Sequence, residues 1–228
     1  KKIGLVSGFV LVLSISFQAN AQWFWQNPLP QGHDLYSVKF ISSEIGWAVG
    51  NGGTILRTID GGTTWTLQSS GTTYSLYGVS FTDPNNGTAV GGGGTILRTT
   101  DGGANWILQS SGTTNSLYGV TFSDSNNGTA VGNWGTILRT TNGGITWVSQ
   151  SGGTTYDLHG VSFTDSNNGM AVGYLGTILK TTDGGITWTI ESSGTTKSLV
   201  GVSFTNSNIG TAVGVSGTIL RTTNGGTT

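Results

Sequence analysis

The tetrapeptide "GTIL" begins at Gly53, Gly94, Gly135, Gly176 and Gly217, always 41 residues apart. Phe40, Phe81, Phe122, Phe163 and Phe204 keep the same interval, as do Trp65, Trp106, Trp147 and Trp188. No insertion or deletion disturbs the register over more than four copies, so one supersecondary unit recurs and the fold is an array of it. A period near 40 residues fits either a four-stranded propeller blade or helical repeats of the armadillo kind. The residue types choose between them. Glycine, 40 of 228 residues, recurs every few positions, and the apolar runs between glycines are short, β-branched and aromatic, which excludes helices.

Each period divides into four short strands. In the second unit these are "SLYGVSF" (75–81), "TAVG" (88–91), "TILRT" (95–99) and "NWILQSS" (105–111), joined by "TDPNNG", "GGG" and "DGG". Asn-Gly and Asp-Gly turns between β-rich runs are hairpin signals. A four-stranded sheet cannot bury both faces alone, whereas radial stacking on its neighbours does so and leaves only short edges. The expectation is therefore an all-β chain forming a β-propeller of four-stranded antiparallel blades. The blades fall at 35–75, 76–116, 117–157 and 158–198, with a partial one at 199–228: an incomplete ring of about five.

The N-terminal residues read differently. Lys1 and Lys2, the apolar run 3–17 and the small-x-small run Ala19-Asn20-Ala21 have the pattern of a secretory signal peptide over residues 1–21. Its removal would take the formal charge from −1 to −3 and leave no membrane-spanning segment, so the expected location is secreted or at the cell envelope or surface. Residues 22–34 contain "WFWQN" at 23–27, which reads as an isolated fourth strand used in ring closure. With no initiating Met and a last repeat cut short, the chain reads as a fragment of a longer frame. Charged residues make up only 8 % and lysines and arginines do not cluster, which excludes a nucleic-acid footprint. There is no cysteine, hence no disulfide and no thiolate metal site.

The most regular turn reads "RTIDGGTTW" at 57–65, then "RTTDGGANW", "RTTNGGITW", "KTTDGGITW" and "RTTNGGTT". A short Asp or Asn side chain there (Asp60, Asp101, Asn142, Asp183, Asn224) can accept bonds from backbone N–H groups a few residues on. The two glycines supply positive φ, and Trp65, Trp106, Trp147 and Trp188 anchor the hairpin. Asn can do this work as well as Asp, whereas a catalytic carboxylate would not survive the exchange, so the turn reads as architecture. "T-x-D-G-G-x-x-W" resembles the Asp-box, or BNR repeat, of bacterial and plant β-propellers. The wider "GWAVGNGGTILRTIDGGTTW" (46–65) resembles the photosystem II stability and assembly factor branch of that superfamily. The resemblance covers 23–228 and implies a propeller, commonly seven-bladed, acting as a non-enzymatic scaffold that binds a partner. Asn142 and Asn224 depart from the motif, and the last copy lacks its tryptophan.

A sialidase-like glycoside hydrolase is the rival from another class, with its catalytic residues outside this sequence, and a purely structural surface repeat is a third reading. Glycosidase chemistry needs two positioned carboxylates, or a tyrosine nucleophile with a carboxylate partner. Arg57, Arg98, Arg139, Lys180 and Arg221 share one repeat position, which spreads them over separate blades instead of gathering them round a substrate. They read first as packing, with Arg57 across a hairpin from Trp65 at cation–π reach, and second as a basic patch for an acidic partner. "DSNNG" at 124–128 and 165–169 has the alternating oxygens of a calcium loop, but its counterparts lack them, and His33 and His159 have no repeated partner. Neither metal nor cofactor is expected. In an antiparallel blade the loop from second to third strand shares a face with the inter-blade link, and there the copies differ. Trp134 and Tyr174, flanked by Tyr74, Tyr156 and Lys197, are the candidates for binding a protein or glycan partner.

Overall fold

The computed structural model describes residues 32–226, so the signal peptide expected at 1–21 and the "WFWQN" strand lie outside the described residues. The first sheet runs β1 (Leu35–Phe40), β2 (Gly46–Gly50), β3 (Ile55–Thr58) and β4 (Thr66–Gln68), each antiparallel to the next. Three more four-stranded sheets repeat this order. They are β5–β8 (Leu76–Phe81, Gly87–Gly91, Ile96–Thr99, Ile107–Gln109), β9–β12 (Leu117–Phe122, Gly128–Gly132, Ile137–Thr140, Val148–Gln150) and β13–β16 (Leu158–Phe163, Gly169–Gly173, Ile178–Thr181, Thr189–Glu191). A three-stranded sheet of β17 (Leu199–Phe204), β18 (Gly210–Gly214) and β19 (Ile219–Thr222) follows.

The first strands β1, β5, β9, β13 and β17 touch one another in sequence, which makes them the hub of a radial array. They approach so closely that a Cβ on Gly78 would lie 3.0 Å from the Tyr118 carbonyl oxygen, and one on Gly119 would lie 3.1 Å from that of His159. The cores lie between blades, not within them. Val90 and Ile96 pack against Leu117, Ala130, Leu138 and Trp147 of the next blade, and Val131 and Ile137 against Leu158, Ala171, Leu179 and Trp188. Alternation along each strand gives one apolar set to each neighbour, so a blade is finished only by the two beside it. The five blades form an open arc. Phe40 at one end is 40 % exposed where Phe81 is 5 %, and Ile219 at the other is 72 % exposed where Ile55, Ile96 and Ile137 are 0 %.

The Asp-box turns close the third hairpin of each blade. Asp101 Oδ1 accepts the Thr99 hydroxyl at 2.8 Å and the Asn105 N–H at 2.9 Å, while the Thr99 hydroxyl accepts the Gly103 N–H at 2.9 Å. Gly102 N–H donates to the Asn85 carbonyl at 2.9 Å, tying this turn to the "NNG" turn of the same blade. The tryptophans stand edge-on against the phenylalanine that ends the first strand, with Phe81–Trp106 centroids 5.8 Å apart and Phe122–Trp147 6.0 Å.

The basic series bridges blades. Arg98 Nε donates to the Gly143 carbonyl at 2.6 Å and Arg139 Nε to the Gly184 carbonyl at 2.7 Å, each in the Asp-box of the following blade. Arg57 departs from this. Its guanidinium lies 5.8 Å from the ring centroid of Trp47, so the expected cation–π partner, Trp65, is corrected to the residue directly across the β2–β3 ladder. Trp47 stands where the other blades have Thr88, Thr129, Met170 and Thr211, and its indole N–H takes the Gly102 carbonyl at 3.1 Å. That carbonyl is the counterpart of Gly143 and Gly184, and Arg57 Nε is left buried without a partner.

Candidate functional site

A short 3-10 turn joins second and third strands at 51–53, 92–94, 133–135, 174–176 and 215–217. Its middle residue is left-handed in every copy. Gly52 and Gly93 hold φ of +64° and +62°, but Trp134, Leu175 and Ser216 hold +56°, +52° and +55°. A side chain in this conformation costs about 1 kcal/mol that glycine does not incur. Trp134 carries that strain while 70 % exposed, burying little in return. Leu175 and Ser216 carry the same conformation, so the turn itself sets it and what distinguishes Trp134 is the size of its exposed ring.

Asp157, in the link from β12 to β13, holds this corner. Its Oδ1 accepts the Trp134 backbone N–H at 2.8 Å, and its carbonyl accepts the Tyr174 N–H at 2.8 Å. Tyr156 and Tyr174 then meet edge-on with centroids 6.0 Å apart. One residue thus bonds to the backbones of both variable loops, beside the Tyr156–Tyr174 ring pair. The other two flanking candidates lie apart. The Tyr74 ring lies over Gly93, two links away, where it lines an open groove of about 930 Å³ that reaches Trp106 and Leu108. Lys197 is exposed in the following link.

A second row of aromatics was not among the expected residues. Tyr36, Tyr77, Tyr118 and His159 follow the leucine that opens each hub strand, and consecutive rings lie 5.4 Å apart. Each is the extra residue of a β-bulge, as between Leu76 and Gly78. Bulges of this kind re-aim a side chain out of the alternation. The signal was present in the sequence as Tyr, Tyr, Tyr, His, Val at one 41-residue offset, but the bulge that turns these side chains along the hub was not. Burial pushes the Tyr118 phenol up and the His159 imidazole down, and the Asp157 carboxylate acts on both, raising each. Asn133 makes a side-chain hydrogen bond to Tyr118, while its own Oδ1 is buried without a partner.

The Asp-box carboxylates and those of the Asx turns are committed to their own turns. Asp83 Oδ1 accepts the N–H groups of Asn85 and Asn86 at 2.8 and 3.0 Å, and Asp124 and Asp165 repeat the arrangement. No group of three metal-ligating side chains stands together among the described residues, and no helix among them is long and apolar enough to cross a membrane.

The family described as photosynthesis system II assembly factor YCF48 matches at 16–107, 66–149, 106–189 and 146–228. A solved structure of YCF48 bound to a D1 peptide is 25 % identical with a TM-score of 0.68, over 85 % of this chain and 64 % of that one. YCF48 from Cyanidioschyzon merolae is 26 % identical with a TM-score of 0.69, over 86 % of this chain and 69 % of that one. The chain therefore spans about two thirds of these relatives. A GH74 enzyme from Niastella koreensis shares the fold at 17 % identity, with a TM-score of 0.65 over 78 % of this chain and 34 % of that one. No curated protein matches.

Proposed function

The chain belongs to the photosynthesis system II assembly factor YCF48 family, and from that premise we propose that it is a non-enzymatic propeller scaffold. It captures a segment of a partner protein on the face carrying Trp134, Tyr156 and Tyr174. The observation that carries this reading is Trp134, a large exposed ring in a left-handed conformation whose backbone N–H is bonded to the Asp157 carboxylate. Large rigid aromatics give contact area at low entropic cost. The structure of YCF48 with a D1 peptide supports a peptide as the ligand class. A non-enzymatic role fits the disposition of acidic groups. The Asp-box and Asx-turn carboxylates are bonded within their own turns, and Asp34, Glu44, Asp157 and Glu191 are dispersed over the array. The likeness to the GH74 enzyme is one of fold. We place the protein outside the cytoplasm, at the envelope or secreted, on the strength of residues 1–21; fractionation of cells carrying a tagged chain tests this.

Binding is tested with the D1 peptide and a tiled peptide panel by fluorescence polarisation. Trp134→Ala with Tyr174→Ala should abolish capture and leave the melting temperature unchanged. Full binding by the double variant, or its unfolding, overturns the assignment. A glycan array run in parallel reports whether the same aromatics take sugar rings instead.

A further inference from the structure

Asp157 has a role beyond holding Trp134. The equivalent position is Ser75, Ser116 or Ser198 in the other links and Asp34 ahead of the first blade, so a charge replaces the hydroxyl at two of the five copies, and only at Asp157 does the neighbouring turn carry Trp134. One carboxylate oxygen is used by the Trp134 N–H; the other has no hydrogen-bond or ion-pair partner among the described residues. The residue is half-buried. Two of the arginines point elsewhere, bonded to the Gly143 and Gly184 carbonyls at the opposite end of the blades, and Lys197 in the following link makes no pair with it. A half-buried carboxylate without a counter-charge favours a cation brought from outside. Its surroundings favour the same ion. Trp134 and the Tyr156–Tyr174 pair are fixed to the residue's own backbone and side chain, and Tyr118 and His159 stand in the field of its charge. Aromatic faces attract a cation most strongly where water is partly excluded.

We propose that Asp157 and the rings around it form a subsite for a basic side chain, lysine or arginine, of the captured segment. The inference rests on the reading that this face binds a peptide, and the test separates the two. A phage-displayed library of random 12-residue peptides is selected against the wild-type chain, Asp157→Asn, and Trp134→Ala/Tyr174→Ala. Asparagine keeps an oxygen for the Trp134 N–H, so Asp157→Asn should melt like wild type. Wild type should enrich peptides carrying Lys or Arg; Asp157→Asn should enrich peptides without that bias; the aromatic double variant should enrich none. For one selected peptide, replacing its basic residue with norleucine should weaken wild-type binding by roughly tenfold and leave Asp157→Asn almost unaffected. Peptides enriched without basic residues would overturn the subsite while sparing the peptide-binding reading. A basic preference that survives Asp157→Asn would overturn the role of Asp157. No enrichment that depends on the aromatic residues would overturn the peptide-binding reading and the subsite with it. Should Asp157→Asn unfold, Asp157→Ser, the residue at Ser75, Ser116 and Ser198, replaces it in each arm.

Discussion

In the third blade Asn142 keeps Oδ1 on the Thr140 hydroxyl and the Thr146 N–H, each at 3.0 Å, while its Nδ2 donates to Thr146 Oγ1 at 2.9 Å. In the fourth, Asp183 makes the same two contacts at 2.8 and 2.9 Å, and there the Thr187 hydroxyl donates to Oδ2 instead. A hydroxyl can serve either way by rotating. Asp183→Asn should therefore leave the melting temperature within about 1 °C, whereas Asp183→Ala should lower it by roughly 2–4 °C, the effect of losing one cap-like side chain in a chain of this size. Equal losses in both variants would show that charge matters and not hydrogen-bond geometry. At Trp134 the relation between stability and contact runs the other way. Trp134→Gly supplies the residue that Gly52 and Gly93 already provide at this φ. It should be more stable than Trp134→Ala by about 1 kcal/mol while losing peptide binding to the same extent. A less stable glycine variant in thermal melts would mean that the loop is not strained.

At the scale of elements, the Asp-box hairpin is both a closed turn and an inter-blade latch, and each role has its own readout. Bonds from Thr64, Asn105 and Thr187 hold Asp60, Asp101 and Asp183 down to about 2: first the Thr64 N–H, first the Asn105 side chain, and first the Thr187 hydroxyl, respectively. In the unfolded chain these carboxyls take up protons near the ordinary value of about 3.9. Between those limits the unfolded chain binds more protons, so their contribution is complete above about pH 4 and is lost as pH falls towards 2. Melts recorded from pH 7 to pH 2 should be flat and then fall. The triple variant Asp60→Asn/Asp101→Asn/Asp183→Asn should fall less steeply, with a remaining slope from Asp83, Asp124 and Asp165, which their own Asx turns also hold down. An unchanged acid limb would remove these three from the account. For the latch, Arg139→Ala deletes a charged donor to the Gly184 carbonyl and should cost roughly 1–3 kcal/mol. Arg57→Ala should cost less, because Trp47 already occupies the matching Gly102 carbonyl. Comparable losses in chemical denaturation would contradict that exchange.

On the scale of the whole molecule, what was legible in the sequence follows from how far apart the deciding residues stand. The order of strands and the sheets they form depend on turn residues at fixed short offsets within one 41-residue unit, and the sheets at 35–68 through 199–222 follow them. Contacts that depart from the repeat were not legible. The replacement of Arg57 by Trp47 at Gly102 joins residues 55 apart, and Asp157 reaches back 23 residues to Trp134. Each breaks the repeat, so periodicity carries no information about it. The same nearest-neighbour logic governs the ends of the arc. Val38 and Phe40 present the surface that Val79 and Phe81 bury against the preceding blade, while Val213 and Ile219 present the one that Val131 and Ile137 bury against the following blade. Because the units are near copies, these two end faces are complementary to each other, and the contact they make is head-to-tail and need not close. Among the described residues the three-stranded last sheet adds the unpaired edge of β19 to the tendency. A purified polypeptide of residues 22–228 should therefore associate with rising concentration in light scattering and sedimentation. Val213→Lys with Ile219→Lys should reduce association without changing the β signature in circular dichroism. A compact monomer with a high, cooperative melt at all concentrations would overturn this, and would mean that the arc closes on itself.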